Sequence, residues 1–302
     1  MSTGPALETH GLGKRFGSRW ALRDCSLSIP RGRVTALVGP NGAGKTTLLH
    51  LAVGLTEPTE GDALVLDASP RRGAATVLPR IGFVAQDHPL LRSFTLAELL
   101  RLGAKLNPRW DETIARERLD RLGLPLDRKA GSLSGGEQAQ VALSLALAKR
   151  PEFLLLDEPV ASLDPLARRD FLQSLLEAVA ENELTVLLSS HILSDLERVC
   201  DHVVVLSRAH VQLAGDIEDV LAKHRVLVGA RCDPATLRRV EAIVQESHTE
   251  RQTTLLVRAN GHLFDARWAV SEPALEEIVL AYLAQRPSPP ETHDRASVEV
   301  AS

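Results

Sequence analysis

The sequence predicts an α/β fold: a mostly parallel sheet with an antiparallel β edge region, an inserted helical subdomain and a small C-terminal α+β appendage. Three observations carry that reading. Short β-branched runs, apolar on both faces, recur between amphipathic stretches, as expected of strands in a sheet covered on both sides. The strand signal stops between Asp87 and Arg150, where helical periodicity replaces it. After Gly215 strand and helix patterns resume in a different order.

In chain order, residues 27–29 and 63–66 alternate apolar with polar and read as the antiparallel edge. Val34–Val38, Ile81–Val84, Phe153–Leu156, 184–188 and 203–206 read as buried strands. Helices are predicted over Leu96–Leu106, 112–122 and 137–149, within an insertion of about 87–150. Beyond it, 226–228 and 254–257 read as strands and 234–245 and 274–284 as helices. These patterns divide the chain into 1–215, an accessory α+β unit over 216–285, and a polar Pro- and Ser-containing tail over 286–302 expected to be mobile.

Composition narrows the function. The 302 residues carry 35 Lys+Arg against 39 Asp+Glu, a net charge of −4, which offers no electrostatic case for broad nucleic-acid binding. No apolar run approaches the roughly 20 residues of a membrane-spanning helix. The N-terminal segment lacks a basic n-region and an apolar h-region, so no secretory signal is expected. Cys25, Cys200 and Cys232 are an odd count without metal-ligand spacing and are expected as reduced thiols. His224, His248 and His262 are equally scattered and are expected to be solvated.

Directly after Val34–Val38 come Gly39, Pro40, Asn41, Gly42, Ala43, Gly44, Lys45, Thr46 and Thr47, which match G-x-x-x-x-G-K-[ST] and lead into a helical run. Strand, loop and helix in that order predict a phosphate cradle and a P-loop NTPase core. The glycines let backbone N–H groups wrap an anion, and the helix turns its positive end toward it. Lys45 is expected on the β- and γ-phosphates and Thr46 on Mg²⁺. Phe153–Leu156 runs straight into Asp157 and Glu158, two carboxylates at the C-terminal end of a buried strand, where ligands collect in open α/β sheets. Asp157 is placed to hold Mg²⁺ through its water shell, and Glu158 to polarise an attacking water as general base.

Leu133, Ser134, Gly135, Gly136 and Glu137, ahead of Asp157 and followed by a helix, resemble the signature motif of the ATP-binding cassette (ABC) ATPases. Ser134 and Glu137 also have the spacing of a helix capping box. Further elements resemble that family in order: Phe16 as the aromatic that stacks on adenine, Gln86 as the glutamine that senses Mg²⁺ and nucleotide, Asp164 in the loop crossing the dimer seam, and His191 as the switch histidine beside the γ-phosphate. Glu137 stands where Gln is commoner and Gln140 where many members carry Arg or Lys. The likeness covers about residues 6–215.

The resemblance implies two ATP molecules, with Mg²⁺, held head to tail between two cassettes. Ser134, Gly135, Gly136 and Glu137 would then serve the γ-phosphate bound to the partner. It implies two kinds of partner: a second copy or paralogous ATPase subunit, and a separately encoded integral membrane permease, with the chain cytoplasmic and peripheral on the membrane through that permease. Asn107, Pro108, Arg109, Trp110 and Asp111, with the extra C-terminal region, look like the single-cassette branch serving exporters of drug, antibiotic or lipid-like substrates. The alternatives are an importer ATPase and a soluble ABC ATPase acting on ribosomes or DNA.

Overall fold

The computed structural model describes residues 4–191, 197, 199–231, 240–259 and 267–285. The polar tail, Cys232, His262 and residues 234–239 of one predicted helix lie outside that range.

The elements run β1 (Leu7–Phe16), β2 (Arg19–Ile29), β3 (Val34–Val38), α1 (Lys45–Ala52), β4 (Glu60–Val65), α2 (Ala74–Val77), β5 (Ile81–Val84), α3 (Leu96–Leu106), α4 (Glu112–Arg121) and α5 (Gly135–Ala148). There follow β6 (Phe153–Leu156), α6 (Pro165–Asn182), β7 (Thr185–Ser190), β8 (His202–Ser207), β9 (His210–Asp216) and α7 (Ile217–Lys223). The chain then forms β10 (His224–Ala230), β11 (Val240–His248), β12 (Gln252–Ala259), β13 (Trp268–Ser271) and α8 (Leu275–Ala284).

The central sheet has the order β5-β6-β7-β3-β8-β9, parallel except for β9, which pairs antiparallel with β8. Its residues feed two cores in alternation. Val34, Ala36, Leu154, Leu156, Val186, Leu188, Val203 and Val205 point to the side covered by α5 and α6. Leu37, Phe153, Leu155, Leu187, Val204 and Leu206 point to the side of α1 and a three-stranded antiparallel sheet, β2-β1-β4. A strand buried on both faces has no polar alternation, which is why these runs were visible as sequence.

The edge sheet is larger than the sequence pattern indicates, since β1 and the first part of β2 escape it. Register shifts between Thr9 and Leu12 and between Leu12 and Lys14 interrupt the alternation there, as β-bulges do. The 18-residue α6 also lacks a strong signal: only Phe171, Leu172, Leu175 and Ala178 are buried along it. The insertion has its own core, in which Leu96, Leu99 and Leu100 of α3 meet Ala115 and Leu119 of α4 and Val141 of α5.

The C-terminal residues build a four-stranded antiparallel sheet, β11-β12-β10-β13. Residues 240–245, predicted as part of a helix, lie in β11 and pair with β12. This unit does not stand apart from the sheet before it. Val226, Val244, Leu256, Ile278 and Val279 belong to the same hydrophobic cluster as Val203 and Val205, and α8 packs over β8 and β9. His224, expected in solvent, is buried there: Nδ1 lies 2.6 Å from the Val220 carbonyl oxygen and Nε2 3.1 Å from the Tyr282 hydroxyl. His248 is exposed, as expected. Cys25 and Cys200 are free, and burial pushes both thiols up to about 12, so neither is a reactive thiolate at neutral pH.

Candidate functional site

At the C-terminal end of β3 the chain turns through Gly39 to Gly44 and enters α1 at Lys45. Gly44 has φ 112°, and a Cβ on it would lie 2.4 Å from the Ala21 carbonyl oxygen, so only glycine closes the loop in this way. Lys45 is 4% exposed and folds back over the loop. Its Nζ donates to the carbonyl oxygens of Gly39 (2.7 Å) and Pro40 (3.3 Å) and lies 3.0 Å from Glu158 Oε1.

Asp157 and Glu158 follow β6 directly. Asp157 is 1% exposed, and its backbone N–H donates to the Val84 carbonyl oxygen. Glu158 has a left-handed backbone, φ 45°, uncommon for a residue with a Cβ and a form of strain that gathers at functional sites. One hydroxyl joins the pair: Ser189 Oγ donates to Asp157 Oδ1 at 2.8 Å and accepts the Glu158 backbone N–H at 2.8 Å. Sequence reading missed Ser189. The only available signal was a hydroxyl two residues before His191, at the end of the strand that pairs in register with β6.

His191 Nδ1 stands 3.0 Å from Glu158 Oε2, so Glu158 is held from two sides, by Lys45 on one oxygen and His191 on the other. Burial alone would push its carboxyl up; Lys45, by hydrogen bond and charge, and then His191 hold it below the usual carboxylate range. Glu158 is therefore ionised at neutral pH, as a base must be before it can accept a proton.

Phe16, Asn41, Gly42, Gly44, Lys45, Thr46, Thr47, Gln86, Glu158 and His191 line one open cleft of about 700 Å³, together with Arg19, Ala21 and Ala161. That volume is in the range of small-ligand sites. Phe16 presents an exposed ring to the cleft. Gln86 is exposed and precedes two left-handed residues, Asp87 (φ 64°) and His88 (φ 46°).

Ser134, Gly135, Gly136, Glu137 and Asp164 do not line this cleft. They meet one another at a second location, where the starts of α5 and α6 pack together. Ser134 caps α5 in a reciprocal box: its Oγ accepts the Glu137 N–H, and Glu137 Oε2 accepts the Ser134 N–H at 2.7 Å. Arg128 grips the Glu137 carboxylate with two hydrogen bonds, 2.7 and 3.0 Å. Burial works against that charge, but the Ser134 N–H and Arg128 hold the carboxyl below its ordinary value. Glu137 is thus committed to the cap. A Cβ on Gly136 would come within 2.9 Å of Ala167 Cβ, so the glycine lets the two helices approach. Asp164 Oδ1 caps α6, accepting from the N–H groups of Leu166 and Ala167 at 3.0 Å. Gln140 is buried in the α5–α6 contact, with Nε2 3.3 Å from Ser174 Oγ.

Among the described residues, no group of three His, Cys, Asp or Glu side chains forms a metal centre, and no helix is long and apolar enough to cross a membrane.

Comparison with known proteins agrees with this geometry. A family model described as ABC transporter matches residues 22–161. The ABC transporter ATP-binding protein YtrB of Bacillus subtilis is 31% identical over 214 residues, 71% of this chain and 73% of YtrB. The sulfate/thiosulfate import ATP-binding protein CysA of Synechocystis sp. is 33% identical over 219 residues, 70% of this chain but 61% of CysA, so the chain spans less than two thirds of that relative's length. Among solved structures, the dimeric post-hydrolysis state of the ATP-binding cassette MJ0796 bound to ADP and Pi superposes with a TM-score of 0.63 at 26% identity, over 70% of this chain and 98% of that one.

Proposed function

The chain belongs to the ABC transporter family as an ATP-binding, ATP-hydrolysing subunit, and from that premise we propose that two copies clamp two ATP molecules and drive a separate membrane permease. The observation that carries this reading is the separation of two half-sites. Phosphate loop, Glu158 and His191 share one cleft, while Ser134 to Glu137 and Asp164 share another place on the chain. Neither half is a complete site, and head-to-tail pairing of two copies joins each to the other's complement.

In this reading Phe16 stacks on adenine, and Gly39, Pro40, Asn41, Gly42, Ala43 and Gly44 wrap the phosphates, with Thr46 and Thr47 at the helix start. The oxygen donors of Thr46, Gln86 and, through water, Asp157 suit a hard divalent cation, and so few protein ligands suit an ion that phosphate and water also hold. Thr46, Gln86 and Asp157 would hold Mg²⁺ there, and the ion would supply positive charge against the phosphoryl group. Lys45 exchanges Glu158 for phosphate oxygens. Glu158 is then left with His191 alone, becomes more basic, and takes a proton from the attacking water. In the partner, the Ser134 hydroxyl and the backbone N–H groups that open α5 meet the γ-phosphate at the positive end of that helix. The division into a cassette, 1–215, and an accessory unit, 216–285, is part of the same reading; it is supported by the central sheet ending with β9 at Asp216.

Transport direction is a finer matter, because the permease sets it. The sequence pointed to an exporter. CysA is named for sulfate and thiosulfate import and YtrB's name states no direction, so the relatives favour the importer alternative over the exporter expectation. Affinity purification of the protein from its native membranes tests the transport reading: recovery of an integral membrane subunit is expected, and recovery of ribosomes in its place would overturn it.

A further inference from the structure

We infer that Arg19 is a further nucleotide-binding residue, a guanidinium that the adenine-stacking hairpin delivers to the phosphate chain. The inference rests on the ATP-binding reading of the cleft and extends it to a residue outside the recognised motifs.

Strand register supplies the first argument. β1 and β2 form an antiparallel pair in which Phe16 is the direct partner of Arg19, across a turn of only Gly17 and Ser18. Directly opposed residues of such a pair send their side chains to the same face, with Cβ atoms about 4.5–5.5 Å apart. Whatever brings the Phe16 ring to the cleft therefore brings Arg19 with it. Both side chains do line the cleft, alongside Thr46 and Thr47.

Position within the cleft is the second. Arg19 Nη2 lies 3.4 Å from the point that a Cβ on Gly42 would occupy, against the middle of the phosphate loop. A substituent at Gly42 would meet the guanidinium first.

The third is that this cation is uncommitted while its neighbours are engaged. Lys14 Nζ sits 5.1 Å from the centre of the Phe16 ring, and Arg15 and Arg23 sit 5.5 and 5.9 Å from that of Trp20. Lys45 is tied to Gly39, Pro40 and Glu158. Among the described residues the Arg19 side chain has no hydrogen-bond or ion-pair partner. The nearby carboxylate, Glu158, already has Lys45 and His191. A planar, permanently charged fork at the edge of an anion cradle matches phosphate oxygens in pairs, which an ammonium cannot do.

The test is a binding titration of the full chain with the non-hydrolysable ATP analogue AMP-PNP and Mg²⁺, at about 50 mM and about 300 mM NaCl, where the screening length differs by roughly a factor of 2.5. Arg19→Ala is expected to weaken binding by roughly 5-fold at low salt, a value for a charge-assisted contact discounted for exposure, and by less at high salt. Arg19→Lys should recover part of the loss. Phe16→Ala, which removes a stacking surface and no charge, should weaken binding equally at both salt concentrations. Wild-type affinity for Arg19→Ala at low salt, or a loss that ignores salt, would overturn the assignment while leaving ATP binding intact. Failure of the wild-type chain to bind the analogue would overturn the underlying ATP reading as well.

Discussion

Replacing Ser189 with alanine removes one oxygen atom and two hydrogen bonds, both from the acidic pair. Ser189 is fully buried and Asp157 nearly so, so water cannot freely replace what is lost. The bond to the Asp157 carboxylate is of the charged class, worth about 1.5–3 kcal/mol, and the bond from the Glu158 N–H is a neutral one worth about 1 kcal/mol. Ser189→Ala should therefore cost about 2.5–4 kcal/mol of stability, read as a lower urea midpoint at unchanged slope. Catalysis should suffer separately. The Glu158 backbone is left-handed and tethered by that N–H, so its loss lets the carboxylate drift, and a displacement of about 1 Å can lower turnover by about 100-fold. Nucleotide affinity should hold, because the phosphate loop is untouched. Ser189→Thr keeps the hydroxyl and should keep most of the turnover. Steady-state ATP hydrolysis and urea unfolding of the three proteins give both readouts. An alanine variant with wild-type turnover and wild-type midpoint would refute the reasoning.

Two other predictions follow from the same geometry. Lys45→Ala removes the buried cation from the cradle and should weaken ATP binding by about 10-fold or more in an equilibrium titration; unchanged affinity would contradict its role in the cradle. Away from the site, the Glu152 carboxyl is held down to about 2, from an ordinary 4.5, chiefly by its hydrogen bonds from Arg80, with Arg109 adding to them. A carboxyl lowered on folding contributes stability above its unfolded value and loses it as pH falls through the folded one. Glu152→Gln should accordingly flatten the fall in unfolding free energy between about pH 5 and pH 2, and a variant with the wild-type slope would contradict the assignment.

The parallel strands were legible because burial on both faces leaves an apolar run that no other element of that length leaves. The phosphate loop was legible because a strand, a glycine loop, Lys45 and a helix must follow one another in sequence to cradle an anion at all. β1 was not, since Gly11 and Gly13 and the bulges beside them break the alternation that marks a strand. His224 read as solvated because its partner, Tyr282, is 58 residues away and only tertiary packing brings α8 over it. Ser189 was hidden for a similar reason: its value comes from the parallel register of β6 with β7, which no local pattern reports. Glu137 looked like a departure from the signature; in the structure it completes the α5 cap and holds Arg128.

The central claim is that one chain carries two half-sites and that Glu158 is the group that ends the ATP-bound state. It is tested most directly by light scattering of purified Glu158→Gln with Mg²⁺-ATP, with hydrolysis followed in the same sample. The substitution keeps the side chain's shape and removes its basicity, which should lower turnover by about 100-fold or more. The account predicts a stable dimer holding two ATP molecules, which disperses when Ser134→Arg, aimed at the α5 cap, is added to the same chain. A monomer that binds ATP tightly, or a Glu158→Gln protein that hydrolyses ATP at the wild-type rate, would contradict it.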